Sequence, residues 1–176
     1  RVKPQEQEFF ASRSEEIAQA PNAAVRKKLI AALPQADAVL WRAWSGASRE
    51  AEGQSHFVGQ SGRYPLCGKG DVNTYALFAE HNRAVLGPKG RAGFIVPTGI
   101  ATDDMTKEYF AALVDTGRLA SLYDFQSSPG LFGDIGHARF KFCLLTIGQP
   151  GCTADLVFFA RQVADLGEQD RHFLLA

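Results

Sequence analysis

Residues Gly90 to Pro97 read Gly-Arg-Ala-Gly-Phe-Ile-Val-Pro, Leu119 to Phe125 read Leu-Ala-Ser-Leu-Tyr-Asp-Phe, and Phe140 to Ile147 read Phe-Lys-Phe-Cys-Leu-Leu-Thr-Ile. Each is a short, nearly continuous apolar run, the pattern of a strand buried between layers. An amphipathic stretch separates the first two runs. It is capped by Thr102 or Asp103, carries Tyr109, Phe110, Leu113 and Val114 at helical spacing, and closes near Thr116 with Gly117 as its C-cap. A Gly-rich loop, Ser127 to Arg139, separates the last two and holds Leu131-Phe132. Strand (Ala92 to Val96), helix, strand (Leu119 to Phe125) and strand (Ala138 to Ile147) make an α/β domain. In such sheets ligands bind at the carboxyl ends of the strands. Pro97-Thr98-Gly99 and the loop after Phe125 therefore lie on the active face, and a Pro is tolerated where a ladder finishes.

Working outward, Gly148-Gln149-Pro150-Gly151 turns the chain, and Leu156 to Ala160 is expected to return as a hairpin partner. On the other side, Asp71 is an expected N-cap for a helix from Val72 to Leu86, with Tyr75, Phe78, Ala79 and Val85 inward. Gly87-Pro88-Lys89-Gly90 ends it. Gly53 to Gly70 has no periodicity and reads as a long loop. Three helices precede it: Pro4 to Ala20; Ala23 to Leu33, with Asn22 as N-cap, Val25, Leu29 and Ile30 on one face and Pro34 as its end; and Ala36 to Ala51, with Val39, Leu40 and Ala43 inward and Trp41 and Trp44 beside them. The expected division is a helical segment and loop over 1–70 and an α/β core over 71–176.

The chain has 176 residues, room for one domain with a sizeable core, and 45% apolar residues is ordinary globular composition. Nineteen basic residues balance 19 acidic ones, which argues against a module that grips nucleic acid by charge alone. The 3 cysteines, Cys67, Cys143 and Cys152, are odd in number and lack Cys-x-x-Cys spacing, which argues against a disulfide framework or zinc site. A reducing cytoplasm fits best. No apolar run approaches the ~20 residues of a membrane span, and the N-terminus lacks a secretory apolar region. Arg1 is not an initiator residue and Ala176 closes an apolar run, so a part of a longer polypeptide is expected.

Several motifs miss. Gly62 to Gly70 looks like a phosphate loop, yet five residues rather than four separate Gly62 from Gly68 and no Ser or Thr follows Lys69. There is no Gly-x-Gly-x-x-Gly. His56, His81, His137 and His172 show no metal-ligand spacing, and no Ser-His-Asp set can be assembled. Asn73, in a first helical turn, with Tyr75 and Phe78 behind it, is explained on spacing alone by capping and a core stripe.

In combination the motifs are more specific. Asn73-x-Tyr75-x-x-Phe78-x-Glu80, Gly90-x-x-Gly93-Phe94-Ile95-Val96-Pro97, Leu131-Phe132 and Phe140-Lys141-Phe142 occur in that order. This resembles the second half of γ-type N6-adenine DNA methyltransferases, in particular the methylase region of large fused restriction–modification or phage-defence proteins. The likeness covers Gly68 to Ile147 well and extends more weakly to Phe173. Arg1 to Phe10 resemble the segment just after that family's catalytic tetrapeptide.

The resemblance implies the C-terminal half of a Rossmann-like sheet with an antiparallel terminal hairpin, preceded by a helical insertion. It implies S-adenosylmethionine as cofactor, double-stranded DNA as partner, and a larger protein that carries a target-recognition domain and can carry a nuclease. The family's Gly-rich cofactor loop and its Asn/Asp-Pro-Pro-aromatic tetrapeptide do not occur in this chain. No catalytic residue is expected here, and the chain alone is expected to be inactive.

An enzyme of this kind extrudes the adenine and clamps it between flat surfaces. Phe132, between Gly130 and Gly133, matches the family's stacking aromatic before the last strand; packing under its own loop is the plainer account. Gly133 departs from the family's frequent Pro. Pro97 and Thr98 match the strand end beside the base, or form a structural turn. Tyr75 and Phe78 match the helix behind the cofactor, or are core. His137, Arg139 and Lys141 are candidate phosphate contacts, or a solvated rim. Two other classes fit the residues: a methylase-like scaffold that binds no cofactor, and an unrelated nucleotide-binding α/β enzyme, against which the failed phosphate loop counts.

Overall fold

The computed structural model describes residues 6–126 and 141–176. The chain divides into two compact units, Arg1–Arg63 and Tyr64–Ala176.

The first unit is helical. Instead of one helix to Ala20 there are two short ones, α1 (Glu6–Ala11) and α2 (Glu15–Ala18). Ser14 breaks the run: its backbone is extended and its hydroxyl accepts the Ile17 N–H at 3.4 Å. Asn22 caps α3 (Ala23–Ala36) through the Val25 N–H at 3.0 Å. Pro34 does not stop α3 but sits within its last turn. The helix loses one bond there and ends two residues later, where Asp37 takes over as cap of α4 (Ala38–Gln60), accepting from the Val39 and Leu40 N–H groups. The Gly53–Gly70 loop is corrected by α4, which runs through Gly53 and Gly59 to Gln60 with Ala51 and Val58 buried two turns apart. A glycine costs a helix only about 1 kcal/mol, which packing overrides.

Phe10, Ile17, Ile30 and Leu33 form this unit's core, with Phe9, Leu40, Trp41 and Trp44 packed on it. Val39 is 73% exposed and Ala43 is exposed too, against expectation. The two tryptophans carry more apolar area and take the inward face, which rotates Val39 out.

In the second unit, α5 (Thr74–Val85) starts after Asn73, not Asp71. Its buried positions are Ala76, Ala79 and Glu80, so Phe78 (66% exposed) and Val85 point to solvent rather than inward. Small alanines let α5 approach the sheet closely, and Tyr75 and Leu77 pack at the margin. After β1 (Ala92–Pro97) come α6 (Gly99–Thr102), a tight turn, and α7 (Lys107–Asp115), in place of a single helix from Thr102. The Thr106 hydroxyl explains the break, lying 2.6 Å from the Gly99 carbonyl and 3.1 Å from that of Asp103. Gly117 closes α7 with φ +59°, its N–H on Val114 and the Arg118 N–H on Leu113, a Schellman ending.

β2 (Leu119–Gln126), β3 (Lys141–Ile147), β4 (Ala154–Ala160) and β5 (Phe173–Leu175) complete a five-stranded mixed sheet of order β1-β3-β2-β4-β5. β3 is antiparallel to both β1 and β2. β4 is not the hairpin partner of β3: it crosses over to pair parallel with β2. The fold is thus mixed α/β. One core lies under α5 and α7 (Tyr109, Leu113, Leu122, Leu145) and a smaller one on the other sheet face (Phe125, Val157, Ala160). Among the described residues no helix is long and apolar enough to cross a membrane.

The unit boundary falls before Tyr64 rather than at Gly70 because α5 holds the intervening segment. The Glu80 carboxylate, 4% exposed, accepts the Leu66 N–H at 3.0 Å and the Cys67 N–H at 2.8 Å. Glu80→Ala strands both donors and is expected to cost about 2–4 kcal/mol in urea unfolding, whereas Glu80→Gln, which keeps one acceptor, costs about 1 kcal/mol. A loss below ~0.5 kcal/mol for the alanine variant would show that this anchor does not hold the segment.

Candidate functional site

Because β3 opposes both β1 and β2, those two strands run in the same direction, and β4 runs with them. Their carboxyl ends share one edge of the sheet, where side chains of open α/β sheets meet ligands. Pro97, Thr98 and Lys141 come together there. Pro97 is exposed opposite Phe142, and the Thr98 N–H donates to the Lys141 carbonyl at 3.2 Å.

Asp124 organises this edge. It is 2% exposed on β2, opposite Cys143. Its Oδ1 accepts the Thr98 hydroxyl at 2.7 Å and its Oδ2 accepts the Phe159 N–H at 3.3 Å. One carboxylate therefore joins the ends of three parallel strands. With its O–H donated in a hydrogen bond to Asp124, the Thr98 oxygen keeps its lone pairs free to accept a hydrogen bond from a ligand.

The β4 end is bulged. Tyr123 faces Val157 and Phe125 faces Ala160, so two residues, Phe158 and Phe159, stand opposite Asp124 alone. Val157 and Ala160 remain buried, and both phenylalanines are exposed. Phe159 has φ +59°, and among the described residues it alone is a non-glycine with positive φ. That conformation costs about 1–2 kcal/mol for an L-residue with a Cβ. Lys141 Nζ lies 5.4 Å from the centre of the Phe159 ring, and Phe125 and Phe142 stack behind, 5.1 Å apart with an interplanar angle of 3°.

Tyr75 and Phe78 are carried by α5. Tyr75 is half-buried; burial first, then the Asp103 charge, raises its pKa. Phe78 belongs to no core cluster among the described residues and presents its ring to solvent. Phe132, His137 and Arg139 lie outside the described residues, as does Phe140. Lys69, from the failed phosphate loop, pairs with Glu108 at 2.7 Å.

Asp124 and Phe159 escaped the sequence reading. A signal existed for the first: an Asp inside an apolar strand is a buried acid that needs donors. None existed for Phe159, whose bulge depends on pairing with a distant strand.

Burial first, then the Glu80 charge, pushes the Cys67 thiol up to about 12; burial first, then the Asp124 charge, pushes Cys143 up to about 12. Both stay protonated and offer no nucleophile. Among the described residues no group of His, Cys, Asp and Glu could hold a metal ion. In comparison with known proteins, no family model matches the chain and no curated protein matches it.

A second polar cluster sits between β2, β4 and the start of β5. Asp155 accepts the Tyr123 hydroxyl at 2.7 Å and pairs with His172 Nδ1 at 2.7 Å, while His172 Nε2 lies 3.1 Å from the Leu166 carbonyl. Both ring nitrogens face acceptors, so the fully satisfied form is the imidazolium. The Asp155 hydrogen bond, then the Leu166 carbonyl, raise the His172 pKa. For Asp155, burial opposes the shift, but the bonds from Tyr123 and His172 bring its pKa down. The cluster anchors β5 rather than forming a reactive triad. Folding raises the His172 pKa, so its contribution is complete below the ordinary value of 6.5 and is lost as pH rises through the raised value. Proteolysis at the β5 end should accelerate across that rise, and His172→Gln should abolish this pH dependence. An unchanged profile in the variant would remove His172 as its source.

Proposed function

We propose that the α/β unit is the target-base side of a DNA adenine-N6 methyltransferase that uses S-adenosylmethionine, within a bacterial restriction–modification or phage-defence protein. The observation that carries this reading is β3 lodged antiparallel between β1 and β2. It fits the C-terminal part of a Rossmann-like sheet with an antiparallel hairpin strand, and it leaves Pro97-Thr98 at the carboxyl edge.

Within this reading the Thr98 oxygen, its O–H directed at Asp124, accepts from the exocyclic amino group of an extruded adenine. Phe132 stacks on that base, and Lys141, with His137 and Arg139, meets the flanking phosphates. Tyr75 and Phe78, one turn apart on α5, back the cofactor pocket in this reading, with Phe78 against the adenine ring of the cofactor. S-adenosylmethionine supplies the electrophilic methyl group. The Gly-rich loop and Asn/Asp-Pro-Pro-aromatic tetrapeptide, absent from these 176 residues, have to come from elsewhere in the assembly, so the chain alone is inactive.

A scaffold without catalysis is the second reading. It is favoured by β1, which stands at the end of the strand order with Ile95 58% exposed.

Radiolabelled methyl transfer into DNA, by a polypeptide carrying this chain behind a cofactor-binding half, separates the two. Methylation at adenine N6 is expected, with Phe132→Ala and Thr98→Val each lowering turnover about tenfold or more, as the loss of one stacking or one polar contact to the base implies. Unchanged turnover would strip that residue of its role. No transfer to any DNA would leave the scaffold.

A further inference from the structure

Phe159 is in the wrong place for a structural phenylalanine. Its backbone has φ +59°, where glycine is at ease, and its side chain is 58% exposed, so neither backbone preference nor burial accounts for it. A buried carboxylate nonetheless takes its N–H and holds the bulge. Strain kept in place by a dedicated partner marks positions that serve binding. The ring has company: Phe158 lies 6.4 Å away, and Phe173 lies 6.2 Å beyond Phe158, all exposed. Lys141 places its ammonium over the Phe159 ring at 5.4 Å.

We propose that Phe159 and Lys141 form a stacking site for one unpaired nucleobase and its adjoining phosphate, at the carboxyl edge of the parallel strands. An exposed aromatic face beside a cation is the chemistry that single-stranded nucleic acid uses, because every base has a π-face and every linkage a negative charge. A protein partner is the poorer fit, since lysine is depleted where apolar protein surfaces meet. Neither Phe159 nor Lys141 needs the chain to be basic overall, which its zero net charge forbids. The inference rests on the nucleic-acid part of the reading above and not on methyl transfer.

The test is fluorescence anisotropy of the full chain with a labelled oligothymidine single strand at low salt, with thermal unfolding of each variant. Phe159→Gly relieves the backbone, so its melting temperature should hold or rise while binding weakens about five- to a hundredfold, the range for one stacked base. Phe159→Leu keeps the strain and the apolar bulk but lacks the π-face, and should lose binding equally. Lys141→Gln should weaken binding and flatten its salt dependence.

Full binding by the leucine variant would overturn the stacking site, as would unchanged binding by the glycine variant; the methyltransferase reading would survive either. Binding that depends on Phe159 without methyl transfer in the longer polypeptide would leave this site standing and remove that reading. No binding by the unaltered chain overturns the proposal. So does an oligomer that dissolves in Phe159→Gly, which would make the patch a contact between copies.

Discussion

An acid buried to 2% has to be met by donors, and Asp124 is met by two that belong to different strands. Leaving a polar group of this kind unpaired costs several kcal/mol, so the ends of β1 and β4 are drawn to β2 at one point. The rest of the carboxyl edge follows. Thr98 is fixed through its hydroxyl and through its N–H on Lys141, α6 starts directly after it, and the two phenylalanines of the bulge are left outside the packed layers.

The arrangement also depends on which strand fills the gap between β1 and β2. They are joined by α6 and α7, a crossover that makes them parallel, and crossovers of this sort leave room between the strands they connect. β3 returns into that room with Cys143, Leu145 and Ile147 on the helix-covered face and Phe142 and Leu144 on the other. With β1 on one side and β2 on the other, β3 has no free edge for a hairpin partner, and β4 adds at the outer side of β2. That is why a tight Gln149-Pro150-Gly151 turn does not produce the hairpin that its residues suggest.

What was legible in the residues was local. Three apolar runs declared β1, β2 and β3; Asn22 and Gly117 declared a helix start and a helix end; a Pro finishing a strand marked Pro97-Thr98 as an edge. What was not legible was settled at a distance. Gly53 and Gly59 look like breakers, yet a 23-residue helix absorbs both. Phe78 and Val39 have the period of a core residue, and the direction of each helix face was decided by what it met: alanines against the sheet for α5, tryptophans inward for α4. The bulge that exposes Phe159 has no signature of its own, because it exists only in the register between β2 and β4.

The choice of Asp at position 124 is itself constrained. Both groups that reach it are donors, a hydroxyl and a backbone amide, and a carboxylate is the compact side chain that offers acceptors in both directions. An amide of the same shape would turn an NH2 toward one of them, and a hydroxyl could not reach both. The acid also shares its neighbourhood with the Cys143 thiol, whose proton it helps to retain. Thr98 and Phe159 are therefore not independent features of the edge. Each is held by one oxygen of the same group, so the position of the Thr98 oxygen and the backbone of the bulge are set together. Any ligand that rests on one meets the other in a fixed relation.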